Sequence, residues 1–352
     1  MMANIRMKTA EYWHKSDDGR VECGLCPHHC RIAENKTGLC GVRAVRNGSL
    51  IAEGYGHISS AGMDPMEKKP LYHFHPGSMI FSIGGWGCNL ACEFCQNWNI
   101  SQRVETTGER YTPEEIVEKA LTTGSIGIAY TYNEPIIGIE FVQDCARLAR
   151  GKGLVNVLVT NGFIDSVPAS ALLPLIDALN IDIKSMDDDF YRKRCRARLA
   201  PVLAFSSQAV KQGCHVEITN LLIPTLNDGD IHIRELAVWI RDNLGKATPL
   251  HLSAYRPEYK MDISVTPLEV LERAYKICSS RLAYVYMGNV RTEKGQNTLC
   301  PECGNVLIVR QGYAVKVVGE KDGLCVKCGN KPGITRLSQV HRQPKALFQG
   351  PC

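Results

Sequence analysis

Three closely spaced cysteines are the residues whose chemistry the sequence predicts most directly. Cys88, Cys92 and Cys95 form a C-x3-C-x2-C run directly after the apolar segment Met79–Ile83. Three thiolates so placed can ligate three irons of a cubane cluster and leave the fourth iron without a protein ligand. A disulfide would leave an odd thiol, and zinc would need a fourth ligand that the neighbouring sequence does not offer. The spacing therefore predicts a [4Fe-4S] cluster that binds and reduces a small molecule.

Two further groups of four cysteines have metal-ligand spacing. The C-terminal group forms two C-x2-C-G knuckles, and its members are Cys300, Cys303, Cys325 and Cys328. Glycine after each knuckle permits the tight turn that aims backbone amides at the thiolates. With a hairpin expected between the knuckles, this pattern predicts a zinc ribbon, and iron or an auxiliary [4Fe-4S] cluster is the alternative.

The N-terminal group consists of Cys23, Cys26, Cys30 and Cys40. It could hold zinc or a second cluster, with zinc preferred, and His28 and His29 inside this loop could replace a cysteine. The five remaining cysteines are isolated in the sequence and are interpreted as buried or incidental thiols. They are Cys145, Cys195, Cys214, Cys278 and Cys352.

Composition is that of a cytoplasmic enzyme. The 352 residues are 44% hydrophobic and 22% charged, without the long apolar run of a membrane span or the apolar core of a secretory signal. Clustered cysteines in a reducing compartment favour metal ligation over disulfides. The net charge of +5 is concentrated after Arg291, so the tail could face nucleic acid. Its only aromatics are Tyr313 and Phe348, and a solvated surface is therefore preferred.

Short apolar segments alternate with amphipathic ones from about Ser78 to Asn289, which predicts βαβ units around a parallel sheet. The predicted strands are Met79–Ile83, Gly127–Thr131, Val155–Thr160, Leu179–Ile183, His215–Ile223, Pro249–Leu252 and Leu282–Tyr286. The predicted helices include Pro113–Thr122, Ile137–Arg150, Ile233–Asn243 and Pro267–Ser279. This number of units suits a full or partial α/β barrel with its active site at the carboxyl ends of the strands.

The domain prediction has four parts: a cysteine-rich metal-binding leader (1–72), the barrel (73–292), the ribbon (293–340) and a disordered tail (341–352). Polar residues cluster at or near the predicted strand ends and are the candidate binding residues. They are Asn133, Glu134, Thr160, Asn161, Asp182, Lys184, Glu217 and Thr219. Tyr130, Tyr132, Tyr255 and Arg256 could line the pocket or simply pack in the core and at its rim.

The run Cys88-Asn-Leu-Ala-Cys92-Glu-Phe94-Cys95 resembles the cluster motif of radical S-adenosylmethionine (SAM) enzymes. Leader and barrel together resemble the branch that contains pyruvate formate-lyase activating enzyme. More narrowly, the N-terminal cysteine run and Asp64-Pro-Met-Glu-Lys-Lys-Pro70 resemble the AmmeMemoRadiSam-system proteins. The resemblance implies that SAM chelates the open iron and is cleaved to methionine and a 5′-deoxyadenosyl radical, which abstracts hydrogen from a substrate.

The resemblance also implies roles for single residues. Phe94 would offer an apolar face to adenine, and Glu134 would accept hydrogen bonds from the SAM ammonium. Thr160 and Asn161 match the Thr-Asn-Gly motif of the family.

Asp182 and Lys184 match its Asp-x-Lys strand, and could touch the ribose, the carboxylate or a cation, or form an internal salt bridge. Two positions depart from the activating enzymes: Val159 replaces an acid of their cation site, and Thr219, with Glu217 nearby, replaces an arginine.

The leading hypothesis is thus a radical SAM enzyme acting on an unidentified protein, peptide or small metabolite. A glycyl-radical activase is the nearest alternative. An RNA-modifying enzyme that docks RNA on the ribbon is a second, and a non-enzymatic iron–sulfur electron carrier is a third. The expected partners are an electron donor such as ferredoxin or flavodoxin and, from the narrower resemblance, Memo-like and AMMECR-like proteins.

Overall fold

The computed structural model describes residues 7–105 and 110–335. The tail predicted to be disordered, 341–352, lies outside this part. The strands are β1 (Trp13–Lys15), β2 (Val21–Cys23), β3 (Arg31–Ile32), β4 (Arg43–Arg46), β5 (Ser49–Ala52), β6 (Ser60–Pro65), β7 (Met79–Gly84), β8 (Gly127–Tyr130), β9 (Val155–Thr160), β10 (Ala178–Asp182), β11 (His215–Leu222), β12 (Leu250–Ala254), β13 (Val285–Gly288), β14 (Thr298–Leu299), β15 (Val306–Gln311), β16 (Ala314–Val317), β17 (Glu320–Lys321) and β18 (Leu324–Cys325). The α-helices are α1 (Trp98–Ser101), α2 (Pro113–Thr122), α3 (Ile139–Gly151), α4 (Ser166–Leu172), α5 (Asp188–Phe190), α6 (Leu199–Lys211), α7 (Asp230–Asn243) and α8 (Leu268–Ser279).

The largest sheet has eight strands in the order β13-β12-β11-β10-β9-β8-β7-β6. Strands β7 to β13 run parallel, so that their carboxyl ends meet at one edge of the sheet. Successive strands are joined by helices, as the alternating pattern predicts. In the described ranges β6 and β13 are the two edge strands, and the architecture is an α/β fold with a mostly parallel eight-stranded sheet.

Helix α2 begins and ends at the residues that the sequence predicts. The Thr112 hydroxyl accepts a hydrogen bond from the Glu115 backbone N–H at 3.2 Å, and the Glu115 carboxylate accepts one from the Thr112 N–H at 2.7 Å. With Pro113 in the first turn, this capping box satisfies donors that the helix leaves free. Ile116 and Ala120 of the same helix are buried against the sheet.

The leader contributes directly to the main sheet. Strand β6 pairs antiparallel with β7, with Asp64 opposite Ile80. The segment that follows β6 places Met66, Leu71 and Phe74 in an apolar cluster with Ile80. The domain limit predicted at residue 72 therefore falls inside a region where leader and barrel share both hydrogen bonds and core, because the exposed edge of β7 needs a partner strand.

The C-terminal part forms its own three-stranded antiparallel sheet, β14-β15-β16, as predicted for the ribbon hairpin. Helices α4 and α6 lie where no helix was predicted, and strand β13 begins three residues later than expected. Within the described residues, every helix falls short of the length and apolar character that a membrane span requires.

Candidate active site and metal centres

The loop after β7 carries Cys88, Cys92 and Cys95 at the carboxyl edge of the sheet. Cys92 is buried, and the other two thiols are partly exposed. The Leu90 backbone N–H lies 3.3 Å from the Cys88 sulfur, and the side-chain amide of Asn161 lies 3.7 Å from it. These donors stabilise a thiolate on Cys88, whereas burial and the nearby Glu134 raise the pKa of this thiol well above its ordinary value.

Glu134 joins the ends of two neighbouring strands. Its Oε1 accepts hydrogen bonds from the Thr160 hydroxyl at 2.7 Å and the Ile136 N–H at 3.0 Å, and Oε2 accepts one from the Asn161 N–H at 2.8 Å. Burial raises the pKa of Glu134 to about 7, although these donors act in the opposite direction. A carboxylate offers about four lone-pair positions. Among the described residues Oε2 accepts one hydrogen bond, which leaves one of its acceptor positions unused.

Asn133 holds the cysteine loop in place. Its side-chain oxygen accepts a hydrogen bond from the Gly85 N–H at 2.9 Å, and its nitrogen donates to the Gly87 carbonyl at 3.0 Å. Both ends of the amide are therefore engaged with the backbone just before Cys88. This is a positioning role, which differs from the direct contact with a bound cofactor that the sequence predicts.

Asp182 and Lys184 form an ion pair at the end of β10. Lys184 Nζ lies 3.0 Å from Asp182 Oδ2, and their side chains are 14% and 39% exposed. Burial opposes the charge on Lys184, but Asp182 and the nearby Cys92 and Cys195 thiols raise the pKa of Lys184. The ammonium thus stays charged beside the cysteine loop, where it can face an anionic group.

Cys195 is a residue of this site that sequence reasoning missed. It lies more than 90 residues beyond the cysteine loop and is completely buried. Its thiol hydrogen-bonds the sulfur of Cys92, and its carbonyl accepts a hydrogen bond from the Ala91 N–H at 2.9 Å. Nothing in the spacing of isolated cysteines signals this contact, because only the fold brings the two segments together.

Glu217 and Thr219 differ from the expectation that they bind a cofactor. The Glu217 carboxylate accepts four hydrogen bonds, from two backbone N–H groups and two imidazoles. The donors are Tyr72, His73, His215 and His251. The Thr219 hydroxyl donates to the Asn180 side chain at 2.9 Å. Both side chains are committed to the internal packing of the barrel against the leader, and we therefore do not assign either to a ligand.

Phe94 is buried and contacts Phe190, with 5.8 Å between ring centroids, and Lys184 Nζ lies 6.0 Å from its ring. Tyr130 and Tyr255 are core residues, each with its hydroxyl bonded inside the protein. The Tyr132 hydroxyl donates to Asp64. Arg256, the fourth residue expected to line a pocket, borders an open cleft.

The four ribbon cysteines come together as a compact metal site. All their sulfurs lie within 4.8 Å of one another, with 3.5 Å between Cys300 and Cys328 and 3.7 Å between Cys303 and Cys325. Ligands of one tetrahedral zinc ion, at about 2.3 Å each, lie roughly 3.8 Å apart. The geometry fits a single metal ion. In the described residues, neither the Cys88 loop nor the N-terminal cysteines form such a compact group.

Comparison with known proteins agrees with these motifs. The model of the Radical SAM superfamily matches residues 83–237. An uncharacterized protein of Methanocaldococcus jannaschii is 44% identical over 334 residues, which cover 93% of this chain and 99% of that protein. Pyruvate formate-lyase 1-activating enzyme of Escherichia coli is 26% identical over 206 residues, covering 53% of this chain and 83% of the enzyme.

Among solved structures, a radical SAM methyltransferase from Sphaerobacter thermophilus aligns with a TM-score of 0.46 and 18% identity, covering 66% of this chain and 71% of that one. The matched family segment begins in β7, spans the cysteine loop and Glu134, and ends in α7. The chain contains a radical SAM superfamily domain, is similar to the activating enzymes over about half of its length, and is an enzyme.

Proposed function

We propose that this enzyme holds a [4Fe-4S] cluster on Cys88, Cys92 and Cys95 and uses it to cleave SAM reductively. The observation that carries the proposal is the convergence of family-motif residues on the cysteine loop: Asn161 contacts the Cys88 sulfur, and Lys184 lies beside Cys92. The sulfurs are spread more widely than ligands of one ion, which fits thiolates that bind separate irons of a cube.

A cluster held there would supply the one electron that reductive cleavage of SAM requires. Around it, the open acceptor position of Glu134 suits an ammonium group. The Lys184 ammonium suits the carboxylate of the same ligand, and Asp182 keeps that ammonium charged and oriented. Phe94 closes the apolar side of the site. The protein thus offers complementary charges to both ends of an amino-acid moiety.

A substrate would reach this site through a cleft beside the cysteine loop. The cleft has a volume of about 310 Å³ and is lined by Gln96, Arg256, Pro257, Glu258 and Asn289. Gln96 directly follows Cys95, so the cleft opens next to the place where the radical would form. Four of these five residues have polar or charged side chains, with both charge signs present, which suits a peptide or a polar metabolite.

The activating-enzyme similarity makes glycyl-radical activation the second candidate. The M. jannaschii relative covers nearly the whole chain and the E. coli activating enzyme only 53% of it. The leader and ribbon therefore favour a separate substrate. On the narrower motif resemblance we place the chain in the AmmeMemoRadiSam system, with Memo-like and AMMECR-like proteins as partners and a ferredoxin or flavodoxin as reductant.

Anaerobic reconstitution with iron and sulfide, followed by SAM and dithionite, tests the proposal. We expect 5′-deoxyadenosine from the reconstituted protein and none from Cys92→Ala, which should also lose cluster iron. Cys214→Ala removes a buried thiol elsewhere in the core and is the matched control. A Cys92→Ala protein that still forms 5′-deoxyadenosine would refute the assignment. Pull-down of Memo-like and AMMECR-like proteins tests the partners separately.

A further inference from the structure

The four N-terminal cysteines surround one cavity. Its remaining walls are mostly apolar and include Leu25, Ile32, Leu39 and Ile137. We propose that Cys23, Cys26, Cys30 and Cys40 hold a second [4Fe-4S] cluster, through which the electron for SAM cleavage enters; the second half of this statement rests on the proposed function.

Ligand spacing separates a cluster from the zinc ion that the sequence favoured. The ribbon thiols lie as close as one tetrahedral ion requires. The N-terminal thiols line a shared cavity but do not form such a compact group among the described residues. The thiols of Cys88, Cys92 and Cys95 are likewise spaced more widely than the ribbon thiols. Four thiolates that each bind a different iron need this wider arrangement.

The nearby histidines are engaged elsewhere. His28 Nε2 lies 2.7 Å from the Asn89 carbonyl, and its ring packs edge-on against Phe163 at 5.1 Å. His29 Nε2 faces the Asp165 carboxylate at 3.4 Å. Neither ring is needed to complete the site, because the four cysteines supply a full set of cluster ligands.

Arg43 is a buried cation in the wall of the cavity. Its side chain is 1% exposed, and NH1 pairs with the Glu140 carboxylate at 2.9 Å. Its Nε–H is buried and has no acceptor among the described residues. Such an unpaired donor is costly in a protein interior. In a cluster, either an inorganic sulfide or a cysteine thiolate could accept this hydrogen bond. In a zinc site, only a cysteine thiolate could accept it.

The two cysteine sites are joined by the residues on either side of Cys88. Gly87 has φ +83°, and a Cβ built on it would lie 2.2 Å from the Cys40 carbonyl oxygen. On the other side, Asn89 lines the N-terminal cavity, and its backbone carbonyl oxygen lies 2.7 Å from His28 Nε2. The N-terminal site therefore abuts the loop of the catalytic cysteines with no intervening element.

This position suits electron entry. Leu39, next to Cys40, is 71% exposed and gives a reduced ferredoxin or flavodoxin an apolar contact. The donor protein would lose one electron, the N-terminal cluster would gain it, and the catalytic cluster would receive it. No atom is transferred in this step, and the electron is finally consumed in SAM cleavage.

Metal analysis of a Cys88/Cys92/Cys95→Ala triple variant tests the site without relying on activity. After anaerobic reconstitution we expect about four iron and four sulfide per chain, against about eight in the parent protein. Dithionite should produce a [4Fe-4S]⁺ paramagnetic resonance signal that SAM does not alter. A quadruple Cys23/Cys26/Cys30/Cys40→Ala variant should lose the iron and sulfide of the N-terminal cluster and keep those of the catalytic cluster. Cys214→Ala should keep the iron and sulfide of both clusters.

No iron and a second zinc ion, in addition to the one metal ion of the ribbon, in the triple variant would overturn the proposal. If the triple variant retains iron but the parent protein makes no 5′-deoxyadenosine, the N-terminal cluster site is supported and the proposed function is rejected. For the electron path, Cys26→Ala should slow flavodoxin-driven cleavage at least about tenfold and leave dithionite-driven cleavage intact, because dithionite reaches the catalytic cluster directly. Equal losses with both reductants would reject the path.

Discussion

The Thr160 hydroxyl donates a hydrogen bond to Oε1 of Glu134, with 2.7 Å between the oxygens, and so links the ends of two adjacent parallel strands. Thr160 lies at the end of β9, and Glu134 follows β8. The neighbouring Asn161 N–H binds the other carboxylate oxygen, and the Asn161 side chain contacts Cys88. The acid proposed to bind SAM therefore also helps to position Cys88, a proposed cluster ligand.

Glu134→Gln should weaken SAM binding at least about tenfold and lower the free energy of unfolding by about 1–3 kcal/mol, because an amide NH₂ would face a buried donor. Anaerobic calorimetry and denaturant titration measure the two effects. Glu118→Gln, on the exposed face of α2, is the matched control. Unchanged SAM affinity would remove Glu134 from the binding site.

SAM affinity should depend on pH through the same residue. Burial raises the pKa of Glu134 to about 7, so the protonated form predominates below this pH and the carboxylate above it. The carboxylate is the form that attracts an ammonium, and affinity should therefore rise between pH 6 and pH 8. Glu134→Gln should flatten this dependence. Measuring the dissociation constant of SAM at several pH values provides the test.

Lys184→Met should weaken SAM binding about tenfold if its ammonium contacts the ligand carboxylate. The alternative is a purely internal ion pair with Asp182, in which case stability would fall and affinity would stay unchanged. A double-mutant cycle with Asp182→Asn, measured on both quantities, distinguishes the two. Lys193→Met is the control, since that residue forms an exposed ion pair with Asp189.

Cys195→Ala should shift the potential of the catalytic cluster to a more negative value. The thiol that hydrogen-bonds the Cys92 sulfur stabilises negative charge there, and the reduced cluster carries more of it. Cys195→Ser keeps a hydrogen-bond donor, and the cluster potential of this variant should return most of the way to that of the parent protein. A redox titration followed by paramagnetic resonance measures this, and Cys278→Ala controls for loss of a buried thiol.

Gly87→Ala should lower the iron content of both cysteine sites. A Cβ at residue 87 would lie 2.2 Å from the Cys40 carbonyl oxygen, so one of the two loops must move. Gly124→Ala is the matched control, since Gly124 also has a positive φ but no atom within 4 Å of the added carbon. Equal iron loss in both variants would assign the effect to backbone strain alone.

Removing the ribbon metal should loosen the C-terminal sheet without preventing SAM cleavage. Cys303→Ala should lose one metal ion per chain and lower the melting temperature, since metal ligation is coupled to folding. Arg310 of β15 donates to the Tyr72 carbonyl at 2.6 Å, so the leader should become more accessible to hydrogen exchange. Loss of 5′-deoxyadenosine formation with an intact catalytic cluster would contradict a structural role.

The sequence alone determined the chemistry that depends on local spacing. The C-x3-C-x2-C run, the two ribbon knuckles and the capping box of α2 each lie within a short segment, and their residue types restrict the possible partners. Alternating apolar segments likewise predicted the parallel strands, since burial of regular elements repeats along the chain.

Only the tertiary structure decided which distant groups meet. Glu217 lies on a predicted strand with a suitable polar pattern, yet four donors, three of them from other segments, occupy its carboxylate. Cys195 looked incidental and contacts Cys92. Arg43 carries no signal of burial in the sequence and lies buried in the wall of the N-terminal cysteine cavity. Hydrogen bonding and burial between segments remote along the chain depend on packing, which residue spacing does not encode.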